Sequence, residues 1–264
     1  MASAYWQLLK AQLRSQTEYR ASFALDLLFN GLITAIDVVA LLVLFRVNPG
    51  LGGFTLAEAL LIAGLAGLAF ALADLAVGNV ERMPTYIRTG LFDTVLLRPL
   101  GALPQLVVGD LALRRVGRVI QGSAVLAIAL RLVDIEWTPA RVALLVIAPI
   151  AGAVIFGSIF VIGATLTFWL VEAGEVASAF TYGGQLFTSY PTTVFAGWFR
   201  GVFGYALGLG FVAYLPALAL LGRADPLGLP AWLRWSSPLV AVAWALGARY
   251  VWRAGVRHYG STGS

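Results

Sequence analysis

Three polar residues in the first long apolar run of the sequence could contact a polar or ionic solute. Asp26, Asn30 and Asp37 lie at positions i, i+4 and i+11. At about 100° per residue, an α-helix places them within about 40° of one another, so one stripe carries two carboxylates and an amide. Since a buried ionisable group is costly in a bilayer, this stripe does not face lipid. It predicts either a polar cavity or gate on a substrate path, or ion pairs that hold helices in register.

A second polar set joins an acidic and a basic residue from different apolar runs. Asp74 lies toward the end of the second run, and Arg118 lies at a comparable depth in the third. Because an isolated charge at that depth would be penalised, Arg118 is predicted to compensate either Asp74 or Asp26. For Asp74 and Arg118, a structural ion pair is favoured over a role in a substrate path.

Several kinds of chemistry are excluded by the residues that the sequence lacks. The chain has no cysteine, His258 is its one histidine, and Lys10 is its one lysine. Without a GxxxxGK[ST] motif, no phosphate-binding loop can form, and no Ser/His/Asp set or histidine-rich metal site is present. The sequence therefore predicts a protein that is not an enzyme, does not hydrolyse ATP, and binds no metal or cofactor of its own.

The composition is that of an integral membrane protein. Of the 264 residues, 60% are hydrophobic and only 12% are charged, whereas soluble domains carry about 25% charged residues. Since roughly 20 apolar residues cross a bilayer core, we predict one all-α transmembrane domain, 1–264, with six spans. The spans lie near residues 21–46, 56–80, 108–131, 141–170, 198–221 and 236–253. The formal charge of +5 is scattered among apolar runs, so no nucleic-acid partner is expected.

The distribution of basic residues predicts the orientation in the membrane. With the amino terminus inside, the inner basic residues are Lys10, Arg14, Arg20, Arg82, Arg88, Arg98, Arg114, Arg115, Arg118, Arg200, Arg249, Arg253 and Arg257. The outer ones are Arg46, Arg131, Arg141, Arg223 and Arg234. The positive-inside rule therefore places both termini in the cytoplasm and the connections 47–55, 131–138 and 222–237 outside. Residues 1–20 show helical periodicity without a cleavable signal, and predict a helix on the inner membrane surface.

A short amphipathic segment, residues 88–100, lies between the second and third apolar runs. Gly90 and Pro99 bracket it as helix breakers, and Asp93 can cap its first turn. Its apolar side chains recur at helical spacing on one side, and include Leu91, Val95 and Leu96. We predict a short helix across the cytoplasmic mouth of the bundle, whose apolar face needs a partner. A helix resting in the lipid headgroups is the alternative.

Glycines in the predicted fifth span could allow close helix packing. Gly197, Gly201, Gly204 and Gly208 follow one another at intervals of four, three and four residues. Such a stripe of small residues admits another helix at close range. The less apolar stretch 172–189 is predicted to be the cytoplasmic end of the fourth span and its turn, and Pro216 is predicted to kink the fifth span.

Two motifs resemble those of a known transporter family. The run from Tyr86 to Pro99, YIRTGLFDTVLLRP, is similar to the signature after the second helix in permease subunits of bacterial type-2 ABC exporters, in the branch related to drug and viologen exporters. Two later runs, FTSYP at 187–191 and YLPALALLG at 214–222, resemble a second conserved region of that branch.

The resemblance implies a permease of six helices in the bacterial cytoplasmic membrane. It implies a dimer with a second permease, identical or homologous, and two separate ABC subunits that bind ATP and Mg. These subunits would dock on a coupling helix formed by Gly90, Leu91, Phe92, Asp93, Val95, Leu96, Leu97, Arg98 and Pro99. The alternative function is a secondary transporter or channel in which the Asp26, Asn30 and Asp37 stripe binds a coupling ion. Direct contact with membrane lipid follows from either function.

Overall fold

The described residues fold into a bundle of helices without strands. The computed structural model describes residues 20–48, 50–108, 114–170 and 173–260. The α-helices are α1 (Arg20–Val47), α2 (Leu56–Val77), α3 (Met83–Arg88), α4 (Leu91–Leu96), α5 (Ala102–Val108), α6 (Arg114–Leu132), α7 (Pro139–Leu166), α8 (Ala173–Thr188), α9 (Gly197–Phe199), α10 (Tyr214–Leu220) and α11 (Ser237–His258). Apart from Arg20, the predicted surface helix over 1–20 lies outside the described residues.

Local sequence signals explain where the two most apolar long helices begin. Helix α2 starts with a capping box, in which the Glu58 backbone amide donates to Thr55 Oγ1 and the Thr55 amide donates to Glu58 Oε2 at 2.7 Å. At the start of α7, Thr138 Oγ1 accepts a hydrogen bond from the Arg141 amide, and Pro139 occupies the first turn. The side chains of Thr55, Glu58 and Thr138 thus accept hydrogen bonds from backbone amides at the helix starts, which have no partner within the helix. Pro139 has no amide hydrogen and so needs no partner.

Helices α2 and α6 cross at two glycines. A Cβ added to Gly64 would lie 2.8 Å from the Leu126 Cα, and one added to Gly122 would lie 3.0 Å from the Leu68 Cα. The two backbones therefore touch where side chains are absent, which is how membrane helices gain van der Waals contact. The sequence pattern predicts a small-residue contact elsewhere, at Gly197 to Gly208.

Contacts define two ends of the bundle. At the upper end, Arg223 Nη1 donates to Glu58 Oε1 at 2.9 Å, and Thr193 Oγ1 donates to the Gly52 carbonyl at 2.8 Å. At the lower end, the rings of Phe92, Phe168 and Tyr259 pack together with centroids 4.9 to 5.5 Å apart. These contacts bring the start of α2 to the upper end, and α4 together with the ends of α7 and α11 to the lower end.

Residues 192–223 begin and end at the upper end, so they do not cross the bundle. Between those points the chain dips inward, where Val212 approaches Gly152 and the Trp244 indole donates to the Leu207 carbonyl at 3.1 Å. The predicted span 198–221 is therefore wrong as a single crossing helix, because its two halves, Gly197–Ala206 and Leu209–Leu220, meet at 67°.

The bend in this segment comes from glycine geometry rather than from proline. Gly208 has φ +73°, a left-handed conformation that favours glycine. Residues 200–206 before it form a π-helix, and Pro216, the predicted kink, lies within the regular helix α10. The predicted packing stripe of Gly197, Gly201, Gly204 and Gly208 is interrupted, since the four glycines do not share one α-helix. Arg200 belongs to the segment that starts from the upper end, and not to the inner basic set.

Helix α8 supplies the crossing that the sequence analysis assigned to residues 198–221. A Cβ added to Gly174, near the start of α8, would lie 2.9 Å from Pro84, which is close to the lower end. Residues 187–195, at the end of α8 and just beyond it, reach the upper end. The stretch predicted as a turn is therefore a helix of 16 residues. At 1.5 Å per residue it is about 24 Å long.

Three helical stretches among the described residues are long and apolar enough to cross a membrane. They are Leu27–Val47, Leu56–Arg88 and Pro139–Leu166, and the bent pair at 197–220 would make a fourth if it were one span. Helices α6 and α11 run along the bundle beside them but carry several arginines, and α8 is short. Hydropathy alone therefore undercounts the helices that lie side by side.

Candidate functional site

A cavity of about 530 Å³ opens between α1, α2, α6 and α8. Two members of the predicted polar stripe, Asn30 and Asp37, line it, and so does Arg118 from α6. The side chain of Asp26 lies outside the described residues. Hydroxyl and amide side chains complete the polar part of the wall: Thr34, Gln121, Tyr182, Gln185, Ser189 and Tyr190. The cavity thus has the mixed polar and apolar lining that small-molecule sites share.

Asp74 lies behind the cavity wall, between two arginines of α6. Its Oδ2 is 2.8 Å from Arg118 Nη1 and its Oδ1 is 3.1 Å from Arg115 Nε. The carboxylate is only 4% exposed, so it needs this compensation in a low-dielectric setting. The predicted Asp74 and Arg118 groups are in contact, and Arg115 joins them because it lies three residues earlier on the same helix face.

Arg118 connects this buried network to the cavity. Its Nε donates to Asn30 Oδ1 at 3.1 Å, while its side chain keeps 39% of its surface exposed. Gln121, one turn further along α6, donates to the Leu27 carbonyl at 3.0 Å and accepts a hydrogen bond from Thr34. These bonds fix α1 against α6 and orient the amide groups that face the cavity.

Asp37 contributes a carboxylate further along the cavity wall. It lies seven residues beyond Asn30 on α1, about 10 Å at 1.5 Å per residue. Its side chain is exposed, and within the described residues no hydrogen bond or ion pair involves it. The cavity therefore presents the Arg118 guanidinium beside Asn30 and the Asp37 carboxylate about two helical turns further along α1. This separation suits a solute with polar groups at both ends.

Helix α4 forms where the short amphipathic helix was predicted, and its two faces differ. Gly90 precedes it in the left-handed conformation, with φ +69°. Phe92 is fully buried and Val95 is nearly so, against the ends of α7 and α11. These two residues of the predicted coupling helix therefore cannot contact a docked subunit, because they already pack inside this chain. The exposed apolar residues are Leu91, Leu96 and Leu97, and Leu97 keeps 84% of its surface.

Hydrogen bonds tie α4 to its neighbours. Tyr259 donates its hydroxyl to Asp93 Oδ1 at 3.1 Å, which joins α4 to the residue after α11. Gln105 Nε2 donates to the carbonyls of Val95 and Leu100 at 3.0 and 2.9 Å, which joins α5 to the end of α4. Helix α4 is therefore anchored to α5 and to the end of α11.

The family comparison decides what kind of protein carries this arrangement. The family model described as ABC-2 family transporter protein matches residues 32–263. The chain belongs to the ABC-2 transporter family. It is therefore a multi-pass membrane protein of a class of transport subunits that carry no nucleotide site of their own and work with ATP-binding subunits. None of the curated proteins and none of the solved structures compared with the chain matches it.

Several residues at the candidate site of this ABC-2 protein escaped the sequence analysis. Gln121 could have been found, because it follows Arg118 by three residues on the same face of α6. Tyr182 and Gln185 could not, because they lie in the stretch that hydropathy assigned to a turn. Among the described residues, no group of three or more acidic or histidine side chains could hold a metal ion.

Proposed function

We propose that this protein is the permease subunit of an ABC exporter, in which the cavity between α1, α2, α6 and α8 forms part of the substrate path. The observation that carries the proposal is the family match over residues 32–263, together with the polar cavity inside the bundle. The helices α1, α2, α6, α7, α8 and α11 would be its six membrane spans, with the lower end in the cytoplasm. Export as the direction of transport rests on the resemblance of residues 86–99 to exporter permeases.

The energy source in this proposal is a pair of separate subunits that bind ATP and Mg. They would dock on the exposed face of α4, made of Leu91, Leu96, Leu97 and Arg98. Burying a large apolar side chain fully is worth about 1.5–3 kcal/mol, so two such residues would contribute a measurable part of the docking energy. The same helix rests on Phe168 and Tyr259, which gives the docked subunits a mechanical route into α7 and α11.

A second permease would complete the transporter. Helix α1 packs against α2 and α6 but leaves a long apolar face exposed, including Leu28, Leu32 and Ile36. Asp37 lies on the same helix, and a carboxylate there needs water or a protein partner rather than lipid. A dimer formed across α1 would enclose the cavity and shield this carboxylate from lipid.

Docking is tested by substitution on the exposed face of α4. We expect Leu96→Asp with Leu97→Asp to leave the permease inserted but to remove co-purification of a co-expressed ATP-binding subunit. The matched control is Thr85→Asp, an exposed position on the neighbouring helix α3 and outside the apolar patch. Full retention of the ATP-binding subunit by the double variant would refute docking on α4.

Transport is tested by cavity accessibility, because the chain contains no cysteine. A membrane-impermeant maleimide should label Gln185→Cys at a rate that changes when the complex hydrolyses ATP, while Glu136→Cys in an exposed loop labels at a constant rate. Labelling of Gln185→Cys that is unaffected by ATP would instead favour a channel or secondary transporter.

A further inference from the structure

A second cavity, separate from the candidate substrate path, has the chemistry of a lipid site. It is a groove of about 910 Å³ between α2, α5, α7 and α11, open on one side. Its wall is almost wholly aliphatic, with residues such as Leu72, Val77, Val154 and Val161. The hydroxyl of Ser158 is already used, since it donates to the Val154 carbonyl at 2.7 Å. Away from its basic edge the groove therefore offers its occupant a mainly apolar surface.

One edge of the groove carries two basic residues of α11. Arg249 and Arg253 line it one helical turn apart, and both are exposed. Neither makes an ion pair or hydrogen bond with any residue that the structure describes, and no acidic residue lines the groove. Two free guanidinium groups beside an aliphatic channel match a ligand with an anionic head and a hydrocarbon tail.

The dimensions of the groove agree with such a ligand. Along α7 it extends from Ile150 to Val161, about 16 Å at 1.5 Å per residue. One leaflet of the hydrocarbon core is about 15 Å thick. The arginines lie toward the lower end, since Gly255, two residues beyond Arg253, packs against Phe168.

We propose that this groove binds an anionic glycerophospholipid of the lower leaflet. One acyl chain lies along α7, and the phosphate binds Arg249 and Arg253. The wall also includes Gly101 to Pro104 at the start of α5, the helix that Gln105 ties to α4. The bound lipid therefore bridges α11 and α5, and stabilises the base on which α4 rests.

The proposal is tested with phosphatidylglycerol and phosphatidylcholine as probes. The full chain, purified in detergent, is titrated with each lipid and binding is followed by native mass spectrometry. We expect phosphatidylglycerol to bind in preference to phosphatidylcholine. Arg249→Gln with Arg253→Gln should lower its affinity about 30-fold, from about 1 kcal/mol for each arginine. Arg257→Gln is the matched control, because it removes an exposed charge from the same helix outside the groove.

A second pair of variants tests the tail-binding part of the site. Ala245→Phe should lower phosphatidylglycerol binding, because it fills the groove from an exposed position, whereas Leu246→Phe on the adjacent lipid-facing position should not. Equal binding of the two lipids, or unchanged phosphatidylglycerol binding by both groove variants, would overturn the proposal. A shift from dimer to monomer caused by Ala245→Phe would also overturn it, since a second copy of the chain would then occupy the groove.

Discussion

Removing the Asp74 carboxylate should destabilise the bundle more than removing Arg118, the more exposed of its two arginine partners. Asp74 is the shared acceptor of Arg115 and Arg118, at 3.1 and 2.8 Å. Asp74→Asn would deprive two cations of this charge, one of them nearly buried. Loss of one partner from a buried pair costs about 3–5 kcal/mol. Arg118→Gln leaves Arg115 on Asp74, so its cost should be about 1.5–3 kcal/mol, the range for a hydrogen bond to a charged group.

The free energy of unfolding in mixed micelles titrated with sodium dodecyl sulfate measures these costs. The double variant Asp74→Asn with Arg118→Gln should cost less than the sum of the single variants, because both remove the same contact. Glu136→Gln is the control, since Glu136 is 94% exposed in its 3.6 Å pair with Arg141 and should cost about 0–1 kcal/mol. If Asp74→Asn costs no more than Arg118→Gln, the carboxylate is not the centre of the network.

Two further substitutions test the packing of the bundle with the same unfolding assay. Gly122→Ala should cost about 1–3 kcal/mol, because its new Cβ would lie 3.0 Å from the Leu68 Cα, whereas Gly247→Ala has no atom within 4 Å and should be neutral. A neutral Gly122→Ala would show that α2 and α6 do not cross at these glycines. Tyr214→Phe should cost about 1.5–3 kcal/mol, because the tyrosine hydroxyl donates to the buried Asp225 Oδ1 at 2.7 Å. Unchanged stability of Tyr214→Phe would mean that water replaces this donor.

The membrane class and the cavity wall on α1 could be predicted because they depend on local information. Composition identifies a bilayer protein, and the spacing of Asn30 and Asp37 alone puts them on one helix face. The pairing of Asp74 with an arginine follows from the cost of an isolated charge. Whether Arg118 pairs with Asp74 or with Asp26 could not be decided, and Arg115 was missed, since both depend on how far α6 is rotated against the other helices.

The path of the chain after α7 could not be predicted from hydropathy. Residues 198–221 are more apolar than α8, so hydropathy places the span there. The structure reverses the two roles, because α10 is buried by protein and needs no lipid, while α8 carries Gln185 and Tyr182 in the wall of the cavity. Similarly, the periodicity of α4 predicts one apolar face with Leu91, Val95 and Leu96, whereas in the structure Val95 is buried and Leu91 and Leu96 are exposed.

The contact between Glu58 and Arg223 has a consequence for how the chain is made. The two residues are 165 positions apart. At 5–20 residues per second, Arg223 is synthesised roughly 8 to 33 s after Glu58. During that interval Glu58 lacks Arg223 and keeps only its hydrogen bonds with Thr55. These bonds form as soon as α2 begins. A chain stalled before residue 223 would therefore retain the crossing of α2 and α6. It would lack the contact between Arg223 and Glu58 that holds the end of segment 192–223 at the upper end of the bundle.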